Sequence, residues 1–205
     1  MALIKLNNKA VSNATSFGSI TSLGSMTFIK KLTASSSATL SFVDGTDGVV
    51  LDDTYKEYVF TYNNIHPSAN SQFTFNMSTD SGSNYNVAKT TTFFAPVHAE
   101  NNSEASLTYK TAYDLAQGTG FQGLDLGTDT NNDSSISGKL LLFNPSSTTF
   151  VKHFISNTQH MHGNAYSVNP FVSGYGNTVS AVNAIRFQMT SGNIDAGDIC
   201  LYGIA

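Results

Sequence analysis

The chain has 205 residues, of which 12% are charged and 40% hydrophobic, with 14 Phe, 9 Tyr, no Trp and a net charge of −4. The aromatic mass excludes a disordered chain, which would lack apolar surface to bury. The scarcity of Lys, Glu and Arg excludes a helical protein with the usual charged outer faces, and no apolar run reaches the ~20 residues of a membrane-spanning helix.

Residues 1–37 are rich in Ser, Thr, Asn and Gly, with Phe17, Ile20, Leu23, Met26 and Phe28 at no sustained period. This pattern predicts an extended N-terminal docking arm. All the charge ahead of Asp44 is positive and sits on Lys5, Lys9, Lys30 and Lys31, whereas six basic and fourteen acidic residues follow. The split is +4 against −8, so a basic arm is set to meet the acidic body of a neighbouring copy. Nucleic acid is not an expected partner, because the basic residues are sparse and no Arg-rich patch accompanies them. The opening Met1–Asn8 has too short an apolar patch for a secretory leader, and no membrane association is expected.

From residue 38 to 205 the chain reads as one β domain. Tyr58, Phe60 and Tyr62, then Phe73, Phe75 and Met77, then Ile185, Phe187 and Met189, each alternate with polar or small residues. A period of two sends one set of side chains inward and the other outward. Further strands are expected at 38–43, 91–98, 136–144, 149–156, 165–172 and 198–204. Asp44-Gly45, Asp47-Gly48, Asn144-Pro145-Ser146 and Ser191-Gly192-Asn193 supply the turns between them. Residues 104–117 are the one expected helix, and a glycine-rich surface excursion follows from Gly118 to Gly127. The result is an all-β, antiparallel two-sheet β-sandwich of jelly-roll type with an extended N-terminal arm.

The chemistry-bearing residues are few. Asp129, Asn131 and Asp133 place oxygen ligands at alternate positions, as a calcium loop does, but Ser134 stands where such a loop needs Gly and Leu140 where it needs Glu. A solvated turn is the expectation. His153, His160 and His162 have metal-like spacing without a carboxylate or Cys beside them, so no metal and no cofactor is expected. Cys200, the single cysteine, reads as a small buried hydrophobe. There is no nucleophile elbow, no phosphate-cradling loop, and no apolar setting around Asp52, Asp53, Glu57 or Asp114 to raise a carboxyl pKa. The chain therefore reads as a non-enzyme. Tyr85, Tyr113, Tyr166 and Tyr175 lie in or beside polar loops and are candidate glycan or subunit-interface contacts.

Several segments carry a resemblance. The opening Met1-Ala2-Leu3-Ile4-Lys5-Leu6-Asn7-Asn8-Lys9 resembles the start of many virion structural and tail-fibre-type proteins of marine tailed phages. Similar motifs are Asn64-Ile65-His66-Pro67, Asp80-Ser81-Gly82-Ser83-Asn84-Tyr85-Asn86 and Leu142-Phe143-Asn144-Pro145-Ser146-Ser147. The endings Ser191-Gly192-Asn193-Ile194 and Leu201-Tyr202-Gly203-Ile204 complete the set. The resemblance implies a virion component assembled in the host cytoplasm. The leading expectation is a capsid decoration protein, a homo-oligomer (a trimer) that docks on the major capsid protein through Lys5, Lys9, Phe17, Phe28, Lys30 and Lys31. The alternative is a tail-fibre or tail-tip adhesin module that binds a host surface glycan, and a glycan-cleaving enzyme is a distant third.

Overall fold

Alternation of burial marks the strands. On the strand at Lys89–Ala99 the residues Lys89, Thr91, Phe93, Ala95, Val97 and Ala99 are buried, while Thr92, Phe94 and His98 face solvent. The computed structural model describes residues 26–205, and among these there is no helix. The strands are β1 (Met26–Thr33), β2 (Leu40–Val43), β3 (Glu57–Pro67), β4 (Phe73–Ser78), β5 (Lys89–Ala99), β6 (Ala105–Tyr109) and β7 (Gln122–Gly123). After them come β8 (Ile136–Phe143), β9 (Lys152–His162), β10 (Tyr166–Val168), β11 (Phe171–Gly176), β12 (Ala184–Met189) and β13 (Ile194–Ile204).

All pairings between the strands are antiparallel, and they build two sheets. The smaller runs β2-β12-β4-β7. The larger begins β1-β13-β3-β8-β9 and continues through β10 and β11 to β5, with β6 on the far side of β5. Eight strands form nested pairs, first with last: β1 with β13, β2 with β12, β3 with β8, and β4 with β7. The other five widen the larger sheet. β10 and β11 share one lane between β9 and β5, interrupted at Asn169-Pro170, where proline cannot donate to a ladder.

Aromatic rings join the sheets. Phe187 of β12 lies 5.6 Å from Phe60 of β3, Phe42 of β2 lies 5.3 Å from Phe60, and Phe75 of β4 lies 5.0 Å from Phe154 of β9. All five rings are buried. Edge-to-face and offset contacts at these separations suit the ring quadrupole, so the interior is a packed aromatic layer between two sheets.

Three sequence expectations need correction here. Residues 104–117 form no helix: 105–109 are β6, hydrogen-bonded to β5, and a turn closes where the Tyr113 N–H donates to the Lys110 carbonyl (3.0 Å). Pairing along the free edge of β5 outweighs the weak local helix propensity of this stretch. The expected arm–body boundary at 37/38 falls inside the β structure, because Met26–Thr33 pairs with β13 along its length. A register shift between Phe28 and Lys30 breaks the period of two there, which hides the strand in the sequence. The strand expected at 165–172 is two strands, β10 and β11.

Candidate functional site

Lys5, Lys9 and Phe17 lie outside the described residues. Phe28, Lys30 and Lys31 lie on β1. The Lys31 ammonium pairs with Asp198 of the same chain (2.9 Å), and Lys30 donates to the Asp47 carbonyl (2.9 Å). The hydrogen bond to Asp198 raises the lysine pKa, while the Thr33 hydroxyl, and after it Lys31, lowers that of the carboxyl. Both cations thus already have partners within the body. Phe28 is 57% exposed, with Tyr202 of β13 edge-on at 5.7 Å.

The structure separates the four singled-out tyrosines into three places. Tyr85 sits over the outer face of the smaller sheet, with the Arg186 guanidinium 3.9 Å from its ring centre and its carbonyl held by the Asn76 amide (2.6 Å). Tyr175 lies on the outer face of the larger sheet, edge-on to His153 at 6.2 Å. Tyr113 and Tyr166 share a third place. With Val97, Val168 and Leu126 as floor, and Glu104, Lys110 and His162 at the walls, they line a cleft of about 270 Å³.

Each ring in that cleft is set by its backbone. β9 ends at His162 and β10 begins at Tyr166, which pair directly across a turn, and the two rings stack at 6.0 Å and 20°. The Asn164 N–H donates to Nδ1 of His162 (3.3 Å), which leaves the proton of a neutral ring on Nε2. Tyr113 rests against the buried Phe93 ring at 5.3 Å. A second, polar cavity of about 380 Å³ adjoins the first: His162 lines both, and Gly127 of the second follows Leu126 of the first. Asn70, Gln72, Asp129, Asn164 and Thr190 supply its polar groups.

Asp125 precedes Leu126 of the first cavity and carries no mark of a site in the sequence. Its carboxylate accepts from the Phe73 N–H (2.8 Å) and the Thr128 hydroxyl (3.0 Å), and it is fully buried, which pushes its pKa up to about 7. Next to His162 on the strand, His160 is buried with neither ring nitrogen hydrogen-bonded in the structure. Burial, reinforced by His162, pulls its pKa down to about 3, so it stays neutral. Its inward direction on β9 follows from the alternation that also buries Phe154, Ser156 and Thr158.

The calcium-like triplet does not converge. Asp129 lines the polar cavity, and its Oδ2 takes the Asn131 amide at 2.6 Å, whereas Asp133 lines a separate cavity with His66 and Asp195. The Asp129 carboxylate instead accepts from the backbone and side-chain N–H groups of Asn131, two residues on. Among the described residues, no three His, Cys, Asp or Glu side chains gather as a metal site would require. Cys200 departs from expectation: it is half-buried on the outward side of β13, between the inward Ile199 and Leu201.

No family model, no curated protein and no solved structure matches this chain.

Proposed function

We propose that the chain is a non-enzymatic virion structural protein, a capsid decoration protein that joins the particle through its N-terminal segment. The observation that carries this reading is the nested strand order. Chains folded as a doubled-over hairpin, first strand beside last in two facing sheets, are jelly rolls, an architecture recurrent in capsid proteins. The order β1-β13-β3-β8 in one sheet and β2-β12-β4-β7 in the other supports a jelly-roll assignment here. The added strands widen only one sheet, through the connections β4–β7 and β8–β12. The N-terminal residues lead directly into β1 at the margin of the larger sheet, beside the exposed Phe28. Because Lys30 and Lys31 are engaged with Asp47 and Asp198, docking falls to residues 1–25, with Lys5, Lys9 and Phe17, and to the surface around Phe28. Self-association as a trimer and a seat on the major capsid protein belong to the same reading.

A second reading is favoured by one observation, the sharing of one cleft by Tyr113 and Tyr166. It makes the same body a tail-fibre or tail-tip module that binds a host surface glycan.

The test is removal of residues 1–25, which leaves β1 intact. We expect the shortened protein to fold, with an unchanged circular-dichroism spectrum, and to be missing from purified particles. Full incorporation of the shortened protein would overturn docking through this segment. Copy number per particle, by quantitative mass spectrometry, separates the readings: it scales with the head's capsomers for decoration and stays at a few for a tail tip.

A further inference from the structure

We infer that the two cavities meeting at His162 form one groove that holds a short neutral oligosaccharide. The two halves share one lining residue, His162, and Leu126 of the first is followed in the chain by Gly127, Thr128 and Asp129 of the second. Aromatic and aliphatic side chains gather in one half and amides, a hydroxyl and a carboxylate in the other, and each half exposes both carbon and heteroatom surface, as a sugar requires. A pyranose presents a face of C–H bonds and a rim of hydroxyls, so it is held by a flat aromatic surface together with amide and carboxylate groups at the edge. The apolar half has the Tyr113 and Tyr166 rings over Val97, Val168 and Leu126. The polar half has the Asn70, Gln72 and Asn164 amides, the Thr190 hydroxyl and the Asp129 carboxylate. At about 270 and 380 Å³, the halves together lie within the ~300–1,000 Å³ range of small-molecule sites.

The groove is also built before any ligand arrives. Tyr166 is held by cross-strand pairing with His162 and by their stacking, and Tyr113 by its contact with Phe93. Rings already fixed lose little entropy on binding, which favours affinity from a small contact area. At the junction His162 is positioned as an Nε2–H donor, a group that suits a ring or linkage oxygen between two sugar units.

Charge selects the class of sugar. Glu104 and Lys110 offset each other in the apolar half, and Asp129 leaves the groove with one net negative charge. Uronic, sialic and sulfated sugars are therefore disfavoured, and neutral hexoses or N-acetylhexosamines are favoured. Gly163 shapes the same wall: a Cβ there would stand 2.8 Å from the Asp129 Oδ2. Only glycine leaves that carboxylate where it is.

The inference deepens the glycan-binding reading and rests on it for a biological partner. The particle-incorporation test above is independent of sugar binding, so the two can fail separately. The experiment is calorimetric titration of the full chain with maltotriose, cellotriose, tri-N-acetylchitotriose and, as the anionic arm, trigalacturonate. We expect at least one neutral trisaccharide to bind, with trigalacturonate weaker by about tenfold or more. Tyr166→Ala should weaken the neutral sugar by about tenfold, and Tyr166→Phe, which keeps the ring, should bind it nearly as the parent does. Should Tyr166→Ala fail to fold, Gly163→Ala and His162→Ala test the polar half and the junction without touching either tyrosine. Absence of binding by all three neutral trisaccharides at millimolar concentration would overturn the inference. So would binding that Tyr166→Ala, His162→Ala and Gly163→Ala all leave unchanged, or tighter binding of trigalacturonate.

Discussion

In β2, β3, β4 and β12 the large rings point inward and find one another within and across the sheets: Phe187 alone lies within 6.4 Å of the rings of Phe42, Phe60, Phe73 and Phe75. In the five added strands, apolar side chains also stand on the outer face. Phe94, Leu107, Tyr109, Ile155 and Phe171 are between 38% and 68% exposed, and Phe94 stacks on Phe171 at 5.1 Å in the open. The same alternation thus serves two ends. Where both sheets face each other it closes a core. On the added strands it leaves an outer surface with aromatic contacts of its own, while the cleft of Tyr113 and Tyr166 lies at the inward residues Val97 and Val168 of the same strands. Ring packing is concentrated in the nested strands and exposed apolar groups in the added ones.

That division can be broken by measurement, and the largest effect is expected at its centre. Phe187→Ala should cost about 3–5 kcal/mol, the range for an aromatic truncation in a packed core, read from the urea midpoint and slope. If the loss were under about 1 kcal/mol, the nested strands would not be the stabilising region.

A smaller effect is expected at the seam between the regions. Lys89 opens β5, yet its ammonium reaches back to the Asn76 side chain on β4 (2.5 Å) and the Val87 carbonyl (2.8 Å), with no exposure. Burial pulls its pKa down to about 7. Between pH 7 and about 9 the unfolded chain therefore keeps a proton that the folded one has released, so stability should rise with pH across that window. Below pH 7 both states hold the proton and the penalty is constant. Lys89→Met should flatten the rise in the urea midpoint, and Lys152, also lowered by burial, should account for any residual slope. An unchanged slope would show that Lys89 does not titrate in this range.

The smallest effect is expected on the outer face. Phe171→Ala removes a cross-strand stack worth about 0.2–1 kcal/mol and should barely move the midpoint. A loss as large as that of Phe187→Ala would mean that the added strands belong to the core after all.

Much of the nested body was legible in the sequence, because Tyr58, Phe60 and Tyr62, Phe73, Phe75 and Met77, and Ile185, Phe187 and Met189 alternate without interruption and are all buried. The failures have local causes. β1 carries a bulge, β6 is an edge strand exposed along most of its length, and the β10–β11 lane is cut at Asn169-Pro170. None of these three shows a clean period of two. At the site, Tyr113 and Tyr166 were marked as aromatics in polar loops, but their place in one cleft depends on sheet order, which no local pattern encodes. His162 reads in the sequence as a surface or interface histidine with metal-like spacing, not as part of an aromatic site. The four-residue spacing from His162 through Gly163 and Asn164 to Tyr166 is a hairpin turn, and it was the one available signal that the two rings face each other. Asp125 and Lys89 carried no sequence mark, since burial of a lone charge is a tertiary outcome.

The nesting of first strand with last also sets a timetable. Met26 is partnered by Ile204, and Thr33 by Asp198, so β1 has no ladder to join until the end of the chain has been synthesised. The inner pairs, β4 with β7 and β3 with β8, can close earlier, while the nascent protein is still being made. Contacts between residues so far apart in the chain slow folding. β1 is therefore laid against β13 late, after the inner pairs have had time to close.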